Sequence, residues 1–149
     1  NIGANKPKRA EKAVFITMKY GFAILTLVGI LSYIFSRDIA SVFSNNVQVI
    51  SISSELIRIM SFGFGFVAIQ QAIGGAFRGA GQTLWAMSLT ILNMWVFRFI
   101  SAVVLIGLIS FGGIWYSFPI AAISMGVISY VWFIKGDWKK KQLIKEMKL

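Results

Sequence analysis

The chain contains four continuous apolar runs of about 20 residues, and this feature limits its possible folds more than any other. A run of this length can cross the ~30 Å hydrocarbon core of a bilayer as an α-helix. A membrane β-barrel would instead show segments of ~10 residues that alternate between apolar and polar. With 57% hydrophobic residues, the 149-residue chain has more apolar surface than a soluble core of its size can bury. We therefore predict an all-α membrane protein with four transmembrane helices.

The residues between the apolar runs set the bounds of these predicted helices. Ser44, Asn45 and Asn46 are typical of a helix cap, because short polar side chains satisfy the free backbone amides at a helix start. The glycine-rich segment 74–83 (GGAFRGAGQT) predicts a tight turn between the second and third helices. The helices are expected at about 13–35, 47–77, 83–108 and 114–134, followed by a basic tail at 135–149.

The net charge of +10 is distributed unevenly along the chain. Eleven of the 15 basic residues lie before the first run, after the last run or in the glycine-rich turn. Four spans bring these three places to one side of the membrane, and the positive-inside rule predicts that this side is the cytoplasm. Both ends are then cytoplasmic. Because this topology explains the charge, we expect membrane lipid as a partner and no nucleic acid.

The chain has no histidine, no cysteine and only five acidic residues. It therefore lacks the most common general base and the most common metal ligands. Glu11, Asp137 and Glu146 lie in the basic flanks, and Asp38 and Glu55 lie at the outer ends of the first two spans. We predict that the protein is not an enzyme and has no catalytic residues, metal site or cofactor.

Two loop segments carry a family resemblance. Residues 1–10 (NIGANKPKRA) resemble the Q-N-x-G-A-x-x-P-x-R-A motif of the multidrug and toxic compound extrusion (MATE) transporters. Residues 75–83 (GAFRGAGQT) resemble that family's G-x-x-R-G-x-G-D/Q-T turn, and Arg98 matches an arginine often found in the helix after the turn. The resemblance covers essentially the whole chain.

This resemblance implies a fold and a function. The family builds twelve helices as two six-helix lobes, and the present spans are similar to the last four, so we expect a C-terminal fragment whose partners include the missing N-terminal helices. It implies a secondary active multidrug efflux antiporter in the plasma membrane of a prokaryote. By alternating access, such a protein exchanges Na⁺ or H⁺ for small lipophilic organic cations. Two alternatives remain: a lipid-linked saccharide flippase of the same superfamily and a small membrane scaffold protein.

Four polar residues inside the predicted spans are candidates for the substrate path: Gln70, Gln71, Asn93 and Arg98. At ~1.5 Å per residue, the glutamines lie ~11–12 Å and Asn93 lies ~15 Å from the glycine-rich turn, so adjacent antiparallel helices place them at similar depth. They either line a substrate cavity or form a hydrogen bond inside the bundle. Arg98 either serves a functional site or binds carbonyl oxygens in the outer half of the bundle.

The glycine-rich turn supplies the packing candidates Gly75, Arg78, Gly79 and Gly81. Gly75 and Gly79 form a G-x-x-x-G pair, which predicts a close approach of helix backbones. We also expect Gly79 and Gly81 to adopt conformations or contacts that a side chain would obstruct. No acidic residue lies within an uncharged span, so we predict that the coupling-ion site lies outside this chain.

Overall fold

A computed structural model describes residues 6–110 and 112–135, and this part of the chain contains helices and no strand. The helices are α1 (Pro7–Ile34), α2 (Ser36–Phe43), α3 (Val47–Ser61), α4 (Phe64–Gly79), α5 (Thr83–Ile91), α6 (Ile100–Ile109) and α7 (Gly113–Lys135). A π-helical segment, Leu92–Phe99, joins α5 to α6. The predicted tail at 135–149 lies almost entirely outside the described residues.

Three helices are long and apolar enough to cross a membrane: Pro7–Ile34, Thr83–Ile109 and Gly113–Lys135. The bent pair α3–α4 supplies a fourth span when it is counted as one. The first helix starts earlier than the predicted apolar range because Pro7 occupies its first turn, where the fixed φ of proline favours a helix start. The architecture is that of an all-α membrane protein.

The predicted cap at the start of the second span is confirmed. The side-chain carbonyl of Asn46 accepts hydrogen bonds from the backbone amides of Gln48 (2.9 Å) and Val49 (3.4 Å). These two amides have no partner within the helix, so the cap satisfies them. The short helix α2 lies directly before this cap and packs against α3.

The second span differs from the single helix expected over 47–77. It breaks at Phe62 and Gly63, and the axes of α3 and α4 differ by 54°. A Cβ atom on Gly63 would lie 3.1 Å from the Ala122 Cβ and 3.2 Å from the Pro119 Cα, so the backbone at the break lies directly against α7. The bend lets α4 pack against both α1 and α7, at the centre of the bundle.

The turn after α4 confirms the need for glycine at position 81. Gly81 has a φ of 77°, and its backbone amide donates to the Arg78 carbonyl (3.1 Å). The Gln82 amide donates to the Phe77 carbonyl (2.9 Å). Together these bonds form a Schellman motif, in which the left-handed residue is usually glycine because it has no Cβ.

The packing predicted for Gly75 and Gly79 is not present in the described part of the chain. A Cβ atom on either glycine would meet no atom within 4 Å. Close approach occurs at other glycines, where an added Cβ would lie less than 3.0 Å from a neighbouring helix. These include Gly29, Gly65 and Gly126. The G-x-x-x-G spacing therefore does not mark the contact surface of α4 within this bundle.

We expect Gly81→Leu to lower the folded yield of the protein in membranes, because the left-handed conformation costs an L-residue about 1–2 kcal/mol. Gly79→Leu is the matched control, since it changes the same turn at a position with open space around it. The measurement is the monodisperse fraction after detergent extraction. Equal yields for the two variants would contradict this role of Gly81.

Candidate functional site

The polar candidates of the second and third spans meet in the structure. The side-chain amide of Asn93 donates a 2.9 Å hydrogen bond to the side-chain carbonyl of Gln70, between the π-helical segment and α4. The expected similar depth of these residues is therefore confirmed. Gln71 is exposed, on a different face of α4. Of the four candidates, Gln70 and Asn93 form a pair, and Gln71 lies apart from it.

The side chain of Arg98 is half-buried and lies against α7. Its guanidinium carbon lies 3.7 Å from the centre of the Phe118 ring, which is a close cation–π contact. The sequence left two roles open for Arg98, a functional site or binding to carbonyl oxygens, and the contact that the structure gives it is this aromatic face. No sequence signal pointed to Phe118, because the pairing depends on how α7 packs against the π-helical segment.

Two adjacent cavities share Arg98. The smaller, about 170 Å³, lies between the break in the second span and the π-helical segment. Its lining includes Gly63, Asn93, Arg98 and Phe118. The larger, about 310 Å³, is lined mainly by apolar side chains of the π-helical segment, α6 and α7, together with Arg98 and Ser117. Arg98 therefore places a positive charge where the two cavities meet.

A third cavity, of about 400 Å³, lies between α1 and the bent span. Aromatic side chains dominate its lining, and two edge-to-face pairs form part of the wall. Phe22 lies 5.7 Å from Phe66, and Tyr33 lies 5.7 Å from Phe62, between ring centres. The spacing of Phe62 and Phe66 indicates one helix face, but their partners on α1 become visible only in the structure.

The remaining predicted residues lie at the end of α4. Arg78 is exposed in the last turn of this helix, and its guanidinium lies near Gly74. Gly75 and Gly79 are exposed, and Gly81 forms the turn. These residues therefore lie at the end of α4 and in the turn after it, and they do not line any of the three cavities. Among the described residues, no group of three His, Cys, Asp or Glu side chains could hold a metal ion.

We expect the Gln70–Asn93 hydrogen bond to contribute about 0.6–2 kcal/mol to stability, as polar pairs between membrane helices do. Gln70→Leu and Asn93→Leu should each lower the thermal stability of the protein in detergent, and the double variant should lose less than the sum. Gln71→Leu is the control and should have little effect. Strictly additive losses would contradict a direct interaction between the two side chains.

The apolar spans, the bent second helix and the partly buried polar pair define an integral membrane protein with polar groups inside its bundle. The model of the MatE family matches residues 1–104, and the chain belongs to this family. It is 29% identical over 119 residues to a probable multidrug resistance protein NorM of Thermotoga maritima; the match covers 78% of this chain and 26% of that protein.

Two further comparisons agree with this assignment. The chain is 28% identical over 147 residues to the probable multidrug resistance protein YoeA of Bacillus subtilis, with 97% of this chain and 32% of that protein covered. Its fold is similar to the Vibrio cholerae MATE transporter VcmN in the bent form, with a TM-score of 0.84 and 16% identity. That match covers 90% of this chain and 31% of VcmN, so the chain spans about a third or less of the length of these relatives.

Proposed function

We propose that the chain forms part of the second lobe of a secondary active multidrug efflux antiporter and takes part in transport rather than catalysis. The observation that carries this proposal is the match to the MatE family over residues 1–104. The names of the NorM and YoeA relatives, both probable multidrug resistance proteins, support multidrug efflux. The exchange would couple inward movement of Na⁺ or H⁺ to outward movement of organic cations by alternating access.

The aromatic cavity between α1 and the bent span supports a lipophilic cationic cargo. Its volume of about 400 Å³ lies within the range of small-molecule sites. The rings of Phe22, Tyr33, Phe62 and Phe66 offer π faces that attract an organic cation. The cavity lies beside the break in the second span, so a change in the bend would alter its shape.

We propose that the coupling ion binds in helices outside this chain. Glu11, Asp38 and Glu55 are the acidic residues in the described part, and none of them lines the three cavities. A Na⁺ or H⁺ site at membrane depth usually requires a carboxylate. The remaining helices of the transporter, which are also its main protein partners in this proposal, would provide it.

The plasma membrane of a prokaryote, with both ends of the chain cytoplasmic, is the proposed location. The positive-inside rule supports this orientation. In the otherwise cysteine-free transporter, a cysteine at Asn45 should react with an impermeant maleimide added to intact cells. A cysteine at Lys8 should react only after permeabilisation. The reverse pattern would contradict the orientation.

Drug resistance in cells tests the proposed function. The full transporter that contains these residues is expressed in a bacterial strain whose major efflux pumps have been deleted. We expect the minimum inhibitory concentration of ethidium to rise and the steady-state ethidium fluorescence of the cells to fall. A transporter that is inserted in the membrane but changes neither quantity, for ethidium and for other lipophilic cations, would contradict the proposal.

A further inference from the structure

We propose that Arg98 and Asn93 form a binding site for the anionic group of an amphipathic molecule, a carboxylate or phosphate whose apolar body lies in the adjoining cavity. This inference rests on the proposed transport function and specifies one class of cargo. The molecule would carry an anionic group in addition to an apolar or cationic part.

The π-helical segment brings the two side chains to one cavity. In an α-helix, residues five positions apart differ by about 140° around the axis and point to different faces. In a π-helix the hydrogen bonds run from i to i+5, so Asn93 and Arg98 are about one turn apart and share a face. Both line the cavity of about 170 Å³ beside the break in the second span. Segments of π-helix frequently occur at functional sites.

The contact with Phe118 orients the guanidinium and leaves its hydrogen-bond donors available. The Phe118 ring has no lone-pair acceptor, so this cation–π contact does not use the five N–H donors of the guanidinium in conventional hydrogen bonds. Asn93 gives one amide N–H to Gln70 and retains a second. The two residues therefore present several donors, and the planar guanidinium matches the two oxygens of a carboxylate or phosphate.

The positive charge of Arg98 has no carboxylate partner in the part of the chain that the structure describes. The acidic residues there are Glu11, Asp38 and Glu55, and none of them lines either cavity that contains Arg98. An arginine inside a membrane bundle is costly unless an anion or a set of hydrogen-bond acceptors accompanies it. An anionic group of the cargo would meet this need when the site is occupied.

The shape of the two cavities favours an amphipathic molecule over a small inorganic anion. Arg98 lines both cavities, so a group bound to it would be continuous with the larger one, of about 310 Å³. The walls of that cavity include Met94, Trp95 and Phe99, which are suited to an aromatic or aliphatic body. A molecule that places its anionic group on Arg98 and its apolar body against these side chains would occupy both cavities.

A pair of dyes that differ by one carboxylate tests the site. Rhodamine B carries a free carboxylate, and its ethyl ester does not. Binding of each dye to the purified full transporter in a neutral detergent is followed by fluorescence anisotropy. We expect Arg98→Gln to weaken rhodamine B binding by about tenfold and to leave the ester nearly unchanged, since a hydrogen bond to a charged group contributes about this much. Arg98→Lys should retain part of the difference in affinity between rhodamine B and its ester.

Two further variants make the result interpretable. Arg37→Gln, a change at an exposed arginine of α2, is the control and should alter neither dye. Asn93→Asp places a carboxylate beside Arg98 and should compete with rhodamine B while sparing the ester. It provides the test if Arg98→Gln does not fold. Equal weakening of the binding of both dyes, or no change in the binding of either, would overturn the proposed site.

The source of the anionic group is tested in lipid nanodiscs. If the site binds cargo, the affinity of the wild-type transporter for rhodamine B should be the same in phosphatidylcholine as in phosphatidylglycerol once dye partitioning is subtracted. Phosphatidylglycerol could instead compete with rhodamine B for the wild-type transporter but not for Arg98→Gln. That result would assign the site to a lipid headgroup and overturn the cargo assignment. A wild-type transporter that binds neither dye and transports no lipophilic cation would instead contradict the proposed function, and the inference would fail with it.

Discussion

Replacing Gly29 with leucine is expected to cause a large loss of folded protein. A Cβ atom at this position would lie 2.7 Å from the carbonyl oxygen of Ser61 and 3.5 Å from the Phe64 Cβ. The closest atom belongs to the backbone at the break between α3 and α4, so it cannot move away by a side-chain rotation. Overpacking of this kind typically costs about 1–3 kcal/mol, and the added leucine atoms would also force α1 away from the second span.

The matched control for this substitution is Gly107→Leu in α6. A Cβ atom on Gly107 would meet nothing within 4 Å, and the residue is equally embedded in a helix. The monodisperse fraction of each variant is measured by fluorescence-detected size-exclusion chromatography. We expect a strong loss for Gly29→Leu and a small change for Gly107→Leu. Similar yields would show that α1 and the second span do not approach as closely as the structure indicates.

Arg58→Leu is also expected to have a large effect on stability, because Arg58 of α3 contacts both α1 and α2. Its Nε donates a 2.8 Å hydrogen bond to the Ser36 hydroxyl, and its guanidinium carbon lies 5.8 Å from the centre of the Tyr33 ring. Ser36 is 0% exposed. Removing the donor removes a charge-assisted bond to a buried hydroxyl, at a cost of about 1–3 kcal/mol.

Thermal unfolding of the purified protein, followed by tryptophan fluorescence, measures this effect. Arg37→Leu is the control, since Arg37 is a neighbouring arginine that is exposed on α2. We expect a lower unfolding temperature for Arg58→Leu and little change for Arg37→Leu. If both variants unfold at the wild-type temperature, the contact among the three helices contributes no stability.

The all-α fold class and the residues that start and end the helices could be predicted from the sequence, because both depend on local properties. Continuous apolar runs require helices in a bilayer. The cap at Asn46 and the left-handed conformation of Gly81 also follow from the residue types at those positions. The similar depth of Gln70 and Asn93 could be predicted because positions along two antiparallel helices can be counted from their shared turn, whereas the choice of Gln70 over Gln71 as the partner could not.

The break in the second span could not be predicted, because its cause lies far along the chain. Phe62 and Gly63 are no stronger break signal than Gly74 and Gly75, which lie within a continuous helix. The backbone bends where Gly63 meets α7, and this contact depends on the tertiary packing. For the same reason, glycine spacing alone could not distinguish the open positions on α4 from the tightly packed Gly29.

The partner of Arg98 was missed for a related reason. Sequence reasoning placed Arg98 in the outer half of the third span but assumed α-helical geometry throughout. The π-helical segment rotates the positions that follow it, and the guanidinium then meets Phe118 of α7. Nothing in the local residue pattern of Leu92–Phe99 indicates this change of helix type.

Ion-driven dye transport in proteoliposomes tests whether these spans belong to an ion-coupled exporter whose coupling site lies in other helices. The full transporter is reconstituted as wild type and with Asp38→Asn and Glu55→Gln together. We expect both proteins to move ethidium against its concentration gradient while a Na⁺ or H⁺ gradient is imposed, and to stop when the gradient is collapsed. Ethidium movement that is independent of both ion gradients, or a double variant that binds ethidium but no longer couples its transport to the ion, would contradict the account.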